Sequence, residues 1–331
     1  MNWQIVVGIL FIIGGVGNIT KGFSDFLISI AIGSALLFWG FRKKKRKLQG
    51  KPNTYQSTAD HTNRKTTIPT DSNPAPLASS KSIDDYTHRR AAFIDKKKEE
   101  FSQALDKIPR VPFSLSDEPT KRAKLLTMPE IKYCNITRAT NMDKLFPLVV
   151  VDTETTGLKP GGNDIIEISA IKYGPDFTPI SCFTTLCKPR KPIPTEASEV
   201  NHITDEMVSD APPFSLVAAA FSEYISGCNL VGHNLGFDLR FLYISGVILP
   251  PKAKYYDTLD LAKKVLTKSG GKKYNHRTGE YEEIDDWDVY DYKLDTLCEY
   301  YGVFRSDSHR SLSDCYATAL LFESLIDDKI S

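Results

Sequence analysis

The run LFPLVVVD, Leu145–Asp152, constrains the fold more than any other segment. Its apolar residues follow one another without alternation. A strand with one wet face would alternate, so this one is expected to be covered on both sides. IIEISAIKY (165–173) and ISCFTTLCK (180–188) are two further strand candidates, separated by the turn-rich GPDFTP. Helical stretches near Phe214–Ile225, from Asp238, and near Thr258–Leu266, Leu294–Tyr301 and Ser311–Asp327 alternate with short strands at LVGH (230–233) and YYD (255–257). The order predicts an α/β domain, a mixed five-stranded sheet flanked by helices.

The buried run ends in acid. Asp152 and Glu154 lie in VVVDTETTG, two residues apart, so both can point toward one edge of the sheet. Asp238 in HNLGFD and Asp314 in HRSLSD supply two more carboxylates, and His309 an imidazole. Carboxylates crowded together disfavour each other's ionisation unless a cation joins them. Hard divalent ions take oxygen ligands of this kind, and a pair of them clamps the oxygens of a phosphodiester under attack. The expected cofactor is therefore two Mg²⁺ or Mn²⁺ ions, held by Asp152, Glu154, Asp238 and Asp314. Composition argues against the other metal and redox classes. The six cysteines include no C-x-x-C pair in a chain of 331 residues, so thiolate-metal and disulfide frameworks are excluded and reduced thiols expected. A net charge of +1 names no partner.

DTETTGL, HNLGFD and HRSLSD, in this order, resemble the three motifs of the DEDDh exonucleases, in the branch containing the proofreading subunit of bacterial replicative polymerase. The resemblance spans about residues 145–328. It implies a ribonuclease-H-like fold and 3′-to-5′ hydrolysis of nucleic acid with a free 3′ end, releasing nucleoside 5′-monophosphates. It further implies that Asp152 bridges both ions, that Glu154 and Asp314 bind the first, and that Asp238 supports the site. His309 would take the proton of the attacking water, a role suited to an imidazole near neutral pH. Thr155, Thr156 and Gly157 are expected to receive the terminal nucleotide, with Leu158 as a wedge. Phe237 is a candidate stacking residue, and Ile203 and Thr204 in NHIT are candidate contacts. Single-stranded DNA ends are the expected substrate. An RNA-trimming enzyme of the same family is the first alternative, and a non-catalytic nucleic-acid-binding scaffold the second.

The N-terminal 47 residues are a different material. Trp3–Ile19 and Phe26–Phe41 are apolar and uncharged, and the basic run RKKKRK (42–47) follows. Each stretch approaches the roughly 17–25 residues that cross a bilayer as a helix. A cleaved signal would begin with basic residues, and a soluble helical pair would carry a polar stripe; neither is present. Two transmembrane helices are expected, with the basic flank and everything beyond it cytoplasmic. Residues 48–82 are polar and aperiodic, as in a flexible linker. Residues 83–142 read as a helical adaptor: one helix over Ile83–Lys107, with Ile94, Phe101 and Leu105 on a shared face, and a second over Ser116–Leu126. The exonuclease-like domain then occupies 143–331. Within it, KSGGKKYNHRTGEYEEIDDWDVYD is an added surface segment, expected to form a hairpin around Arg277–Glu280.

Overall fold

The computed structural model describes residues 94–277, 279–283, 287–305 and 309–330. The expected membrane hairpin, the linker and the start of the adaptor helix lie outside the described residues. Among the described residues, no helix is long and apolar enough to cross a membrane.

Five strands form one sheet: β1 (Leu148–Thr155), β2 (Ile165–Tyr173), β3 (Pro179–Leu186), β4 (Asn229–Gly232) and β5 (Tyr255–Asp257). Their spatial order is β3-β2-β1-β4-β5. β1 pairs antiparallel with β2 and parallel with β4, so it is the central strand of a mixed sheet. β2–β3 is antiparallel and β4–β5 parallel.

The unbroken apolarity of β1 has the expected cause. Val149 and Val151 face a cluster containing Phe183, Phe221, Leu239 and Leu242. Leu148 and Val150 face the opposite cluster, with Ile171, Leu297, Phe322 and Leu325. All four β1 side chains are at most 1% exposed. Burial on this scale contributes roughly 1.5–3 kcal/mol per side chain, an upper estimate. The helices that supply these faces are α3 (Phe214–Ile225) and α4 (Leu235–Ile244) on one side. α5 (Thr258–Val265), α6 (Leu294–Tyr301) and α7 (Ser311–Ile330) lie on the other. A short helix after β3, α2 (Thr195–Asn201), was not anticipated from the sequence.

The adaptor differs from expectation. The described part of its first helix, α1, covers 94–106. Phe101 is buried there, with its ring edge-on to Phe304 at 6.0 Å and to Tyr316 of α7 at 5.2 Å. Ile94 remains 38% exposed, so the packing face is shorter than the periodicity implied. The second helix, Ser116–Leu126, does not form; the segment is extended apart from a 3-10 turn at Leu125–Thr127. Its backbone donors are taken by distant carbonyls: Ser116 N–H by Leu216 O, Thr120 N–H by Ser215 O and Ala123 N–H by Ile244 O.

This extended strap bridges to both edge strands of the sheet at single points. Val111 N–H donates to Cys182 O and Cys182 N–H to Pro109 O along β3, while Cys134 N–H donates to Tyr255 O along β5. Covering edge strands removes open templates for intermolecular pairing. Residues 109–134 are therefore built into the exonuclease fold and do not form a separate helical module. The added segment forms the expected hairpin, β6 (Lys272–Asn275) against β7 (Glu280–Glu283). Thr267 anchors its base through Asp288 Oδ2, which accepts from Thr267 N–H at 2.9 Å and Oγ1–H at 2.8 Å.

Candidate active site

β1 delivers Asp152 and Glu154 to one end of the sheet, and α7 is docked beside them by β2. Glu167 lies opposite Glu154 in the β1–β2 register and is buried. Its carboxylate accepts from Ser311 N–H at 2.9 Å and from Arg310 Nη2 at 2.7 Å. Ser311 and Ser169 hydroxyls are 2.7 Å apart, and the Cys315 thiol donates to Ser169 O. These contacts fix the first turn of α7 against β2, opposite Asp152, which pairs with Ser169 in register. Asp314 is thereby brought to the acids of β1.

Asp238 arrives by a second route. Asp257, at the end of β5, accepts from Asn234 N–H and Leu259 N–H, both at 2.9 Å. That ties β5 to the start of α4 and places Asp238 in its first turn. Asp238 Oδ1 accepts from Thr153 N–H at 3.0 Å and from the Thr153 hydroxyl at 2.7 Å. The side chain is a buried brace on β1 as well as a candidate ligand.

Glu154, His309 and Asp314 each offer a ligand atom, all within 4.8 Å of one another. Asp152 Oδ2 is sealed from solvent and has no hydrogen-bond partner. A buried carboxylate oxygen left unsatisfied is costly unless a cation meets it. Electrostatics agrees. Burial, then the charges of Asp314, Asp238 and Glu154, push Asp152 well above the usual carboxylate range. Burial with Asp314 and Glu167 pushes Glu154 up to about 9. Burial raises Asp238 to about 7 despite its bonds from Thr153, and Asp314 to about 6 despite Arg305. Such a set fits hard divalent cations: oxygen donors, crowded, and unable to ionise together without positive charge. Burial and then Arg305 lower the pKa of His309. Its φ of 63° is a left-handed conformation that a non-glycine residue rarely adopts.

The other expected contacts divide. Thr155 donates its hydroxyl to Gly157 O at 2.8 Å, and Thr156 Oγ1 accepts from Asp164 N–H at 3.0 Å, so both hydroxyls shape the loop after β1. Gly157 has φ 151°, and a Cβ there would stand 2.8 Å from Asn163 Nδ2, so the position demands glycine. Leu158 is 82% exposed beside this loop. Phe237 is half-buried, its ring 4.9 Å from Phe241. Thr204 is exposed and its hydroxyl accepts from Met207 N–H. Ile203 is corrected: it is fully buried with Ile166 and Val208 and offers no surface to a nucleotide. His233 is a structural residue, bonded through Nδ1 to the Thr258 hydroxyl and lowered to about 4 by burial.

Three residues with roles at the site were not singled out from sequence. Glu167 was detectable as an acid between the apolar residues Ile165, Ile166 and Ile168. Asn201 donates to Thr155 O and accepts from Ile203 N–H, tying α2 to the end of β1. Arg305 binds Asp314 through two nitrogens and carries no local sequence signal.

The sequence profile of the exonuclease (RNase T) family matches residues 149–322. Over 178 residues the chain is 33% identical to DNA polymerase III subunit epsilon of Treponema pallidum, covering 53% of this chain and 74% of that protein. It is 32% identical over 181 residues to the PolC-type DNA polymerase III of Caldanaerobacter subterraneus, covering 54% of this chain but 11% of that protein. A solved structure of exonuclease X in complex with 5′ overhanging duplex DNA aligns at 25% identity with a TM-score of 0.39, over 54% of this chain and 91% of that one. With its carboxylates and histidine gathered at the end of β1 and a profile match over more than half its length, the chain belongs to the exonuclease (RNase T) family.

Proposed function

We propose that this chain is a divalent-metal-dependent 3′-to-5′ exonuclease that removes nucleoside 5′-monophosphates from single-stranded DNA ends, tethered to a membrane with its nuclease domain on the cytoplasmic side. The observation that carries the reading is the convergence of β1, α4 and α7 on one acidic site in which Asp152 Oδ2 is buried without a partner. Asp152, Glu154 and Asp314 would hold two Mg²⁺ or Mn²⁺ ions, with Asp238 bracing the set. Bound there, such ions supply charge neutralisation at the scissile phosphate and acidify the attacking water. His309 accepts the proton of that water. The loop Thr155–Gly157 lets the terminal nucleotide approach the backbone closely, and Leu158 and Phe237 offer apolar surfaces to its base. Preference for DNA is supported by the names of the polymerase III relatives, and the membrane tether by the two apolar stretches and the basic run after them.

The test uses the full-length protein with 3′- and 5′-labelled DNA and RNA oligonucleotides, with Mg²⁺ or with EDTA. Stepwise shortening from the 3′ end that requires the metal and disappears in Asp152→Ala supports the reading. Binding without shortening overturns it, and faster digestion of RNA overturns the DNA assignment. Alkaline carbonate extraction of membranes from expressing cells addresses the tether: the protein should stay in the pellet, and release to the supernatant excludes spanning helices.

A further inference from the structure

We propose that Arg305 is a resident counter-ion of the metal site, a guanidinium that holds Asp314 in the metal-free protein and weakens divalent-ion binding until it gives way. The inference rests on the metal-site reading above. Arg305 Nε lies 2.6 Å from Asp314 Oδ1 and Nη2 lies 2.8 Å from Oδ2, so both oxygens of the candidate ligand are engaged by one fork. The two side chains are only 5% and 7% exposed. A guanidinium placed this way supplies fixed positive charge to the acidic cage.

The same contacts set the sign of its effect on metal. An incoming ion must share or take the oxygens that Arg305 holds, and it meets a fixed positive charge at short range. Residues that merely orient a ligand strengthen metal binding by about 10–100-fold. Here the Arg305 and Asp314 side chains are almost fully buried, so the repulsion between guanidinium and divalent ion is weakly screened, and it outweighs that orienting benefit. Asp295 provides the alternative seat. Its Oδ1 is 2.5 Å from Arg305 Nη1, and its side chain is 57% exposed, so Arg305 can leave Asp314 without losing every carboxylate partner.

The experiment is Mn²⁺ binding to the full-length protein, followed by calorimetry and by loss of the free-ion EPR signal. Wild type, Arg305→Gln, Arg305→Lys and Asp152→Asn are compared, with thermal melts in EDTA and in saturating Mn²⁺. Arg305→Gln should bind Mn²⁺ about tenfold more tightly or better, and Arg305→Lys, which keeps charge but loses the fork, by less. Both should melt lower than wild type in EDTA and recover in Mn²⁺. A merely structural arginine would lower both melts and leave the affinity alone. Unchanged or weaker Mn²⁺ affinity in Arg305→Gln overturns the proposal; if that variant does not fold, unchanged or weaker affinity in Arg305→Lys does so. Failure of the metal-site reading itself looks different: wild type binds no Mn²⁺, or Asp152→Asn binds it undiminished.

Discussion

Replacing Glu154 by Gln should stabilise the metal-free protein while destroying the site that makes it active. Glu154 goes from an ordinary value of 4.5 to about 9 in the folded chain, through burial first and then the charges of Asp314 and Glu167. The folded pKa is raised, so the native state keeps a proton that the unfolded chain releases. The stability this group contributes is complete below pH 4.5 and is lost progressively as pH rises toward 9. Each unit in that window costs about 1.4 kcal/mol, giving a ceiling of about 5 kcal/mol at pH ~8. Relaxation of the cage and sharing of protons among its members reduce this, and we expect about 2–4 kcal/mol. The assay is urea unfolding of wild type and Glu154→Gln in EDTA, at pH ~5 and pH ~8. The variant should be the more stable at the higher pH, and the gap should shrink to under about 1 kcal/mol at the lower. Adding Mg²⁺ should narrow or reverse the order, because an ion present at a hundred times its Kd adds about 2.7 kcal/mol to the protein that binds it. A variant no more stable than wild type in EDTA at pH ~8 would refute the claim that these carboxylates are crowded beyond their capacity to ionise.

Three further outcomes follow from the same geometry. His309→Ala should lower kcat by about 10²–10⁴-fold in single-turnover digestion, with Mn²⁺ affinity nearly unchanged; loss of Mn²⁺ binding would make His309 a ligand instead of a base. Glu167→Ala removes the acceptor for Ser311 N–H and a partner of Arg310, and should cost about 1–3 kcal/mol in urea unfolding with a fall in kcat and little change in KM; an unaltered kcat would separate this anchor from the placement of Asp314. Gly246→Ala forces a side chain onto φ +93° and a Cβ within 2.8 Å of Thr120, and should loosen the strap at a cost of about 2 kcal/mol. Limited proteolysis near residues 116–124 reads that out, and equal protection of the variant would show that the strap is not held there.

Much of the molecule was legible because its strongest signals are local. The unbroken apolarity of β1 required cover on both faces, and the clusters around Val149 and Val150 supply it. α3, α6 and the hairpin β6–β7 formed close to where periodicity and turn residues placed them. Asp152, Glu154, Asp238, His309 and Asp314 could be picked out as candidates for a different reason: each is an ionisable group set in a short motif beside a strand end or helix start. The Ser116–Leu126 segment was misread because its helical propensity is weak, and its N–H groups find better partners on α3 and at the end of α4. Ile203 was misread because its place in a motif says nothing about which way its side chain turns.

Sequence alone therefore determined that β1 is covered on both faces and which acids are candidates for the site, since these depend on residue type and on neighbours a few positions away. Tertiary structure alone decided that Glu167 anchors the helix bearing Asp314, that the strap bridges to β3 and β5, and that Arg305 lies against Asp314. Those contacts join residues brought together by packing, and a hydrogen bond to a remote carbonyl or carboxylate leaves no periodic trace in the chain that makes it.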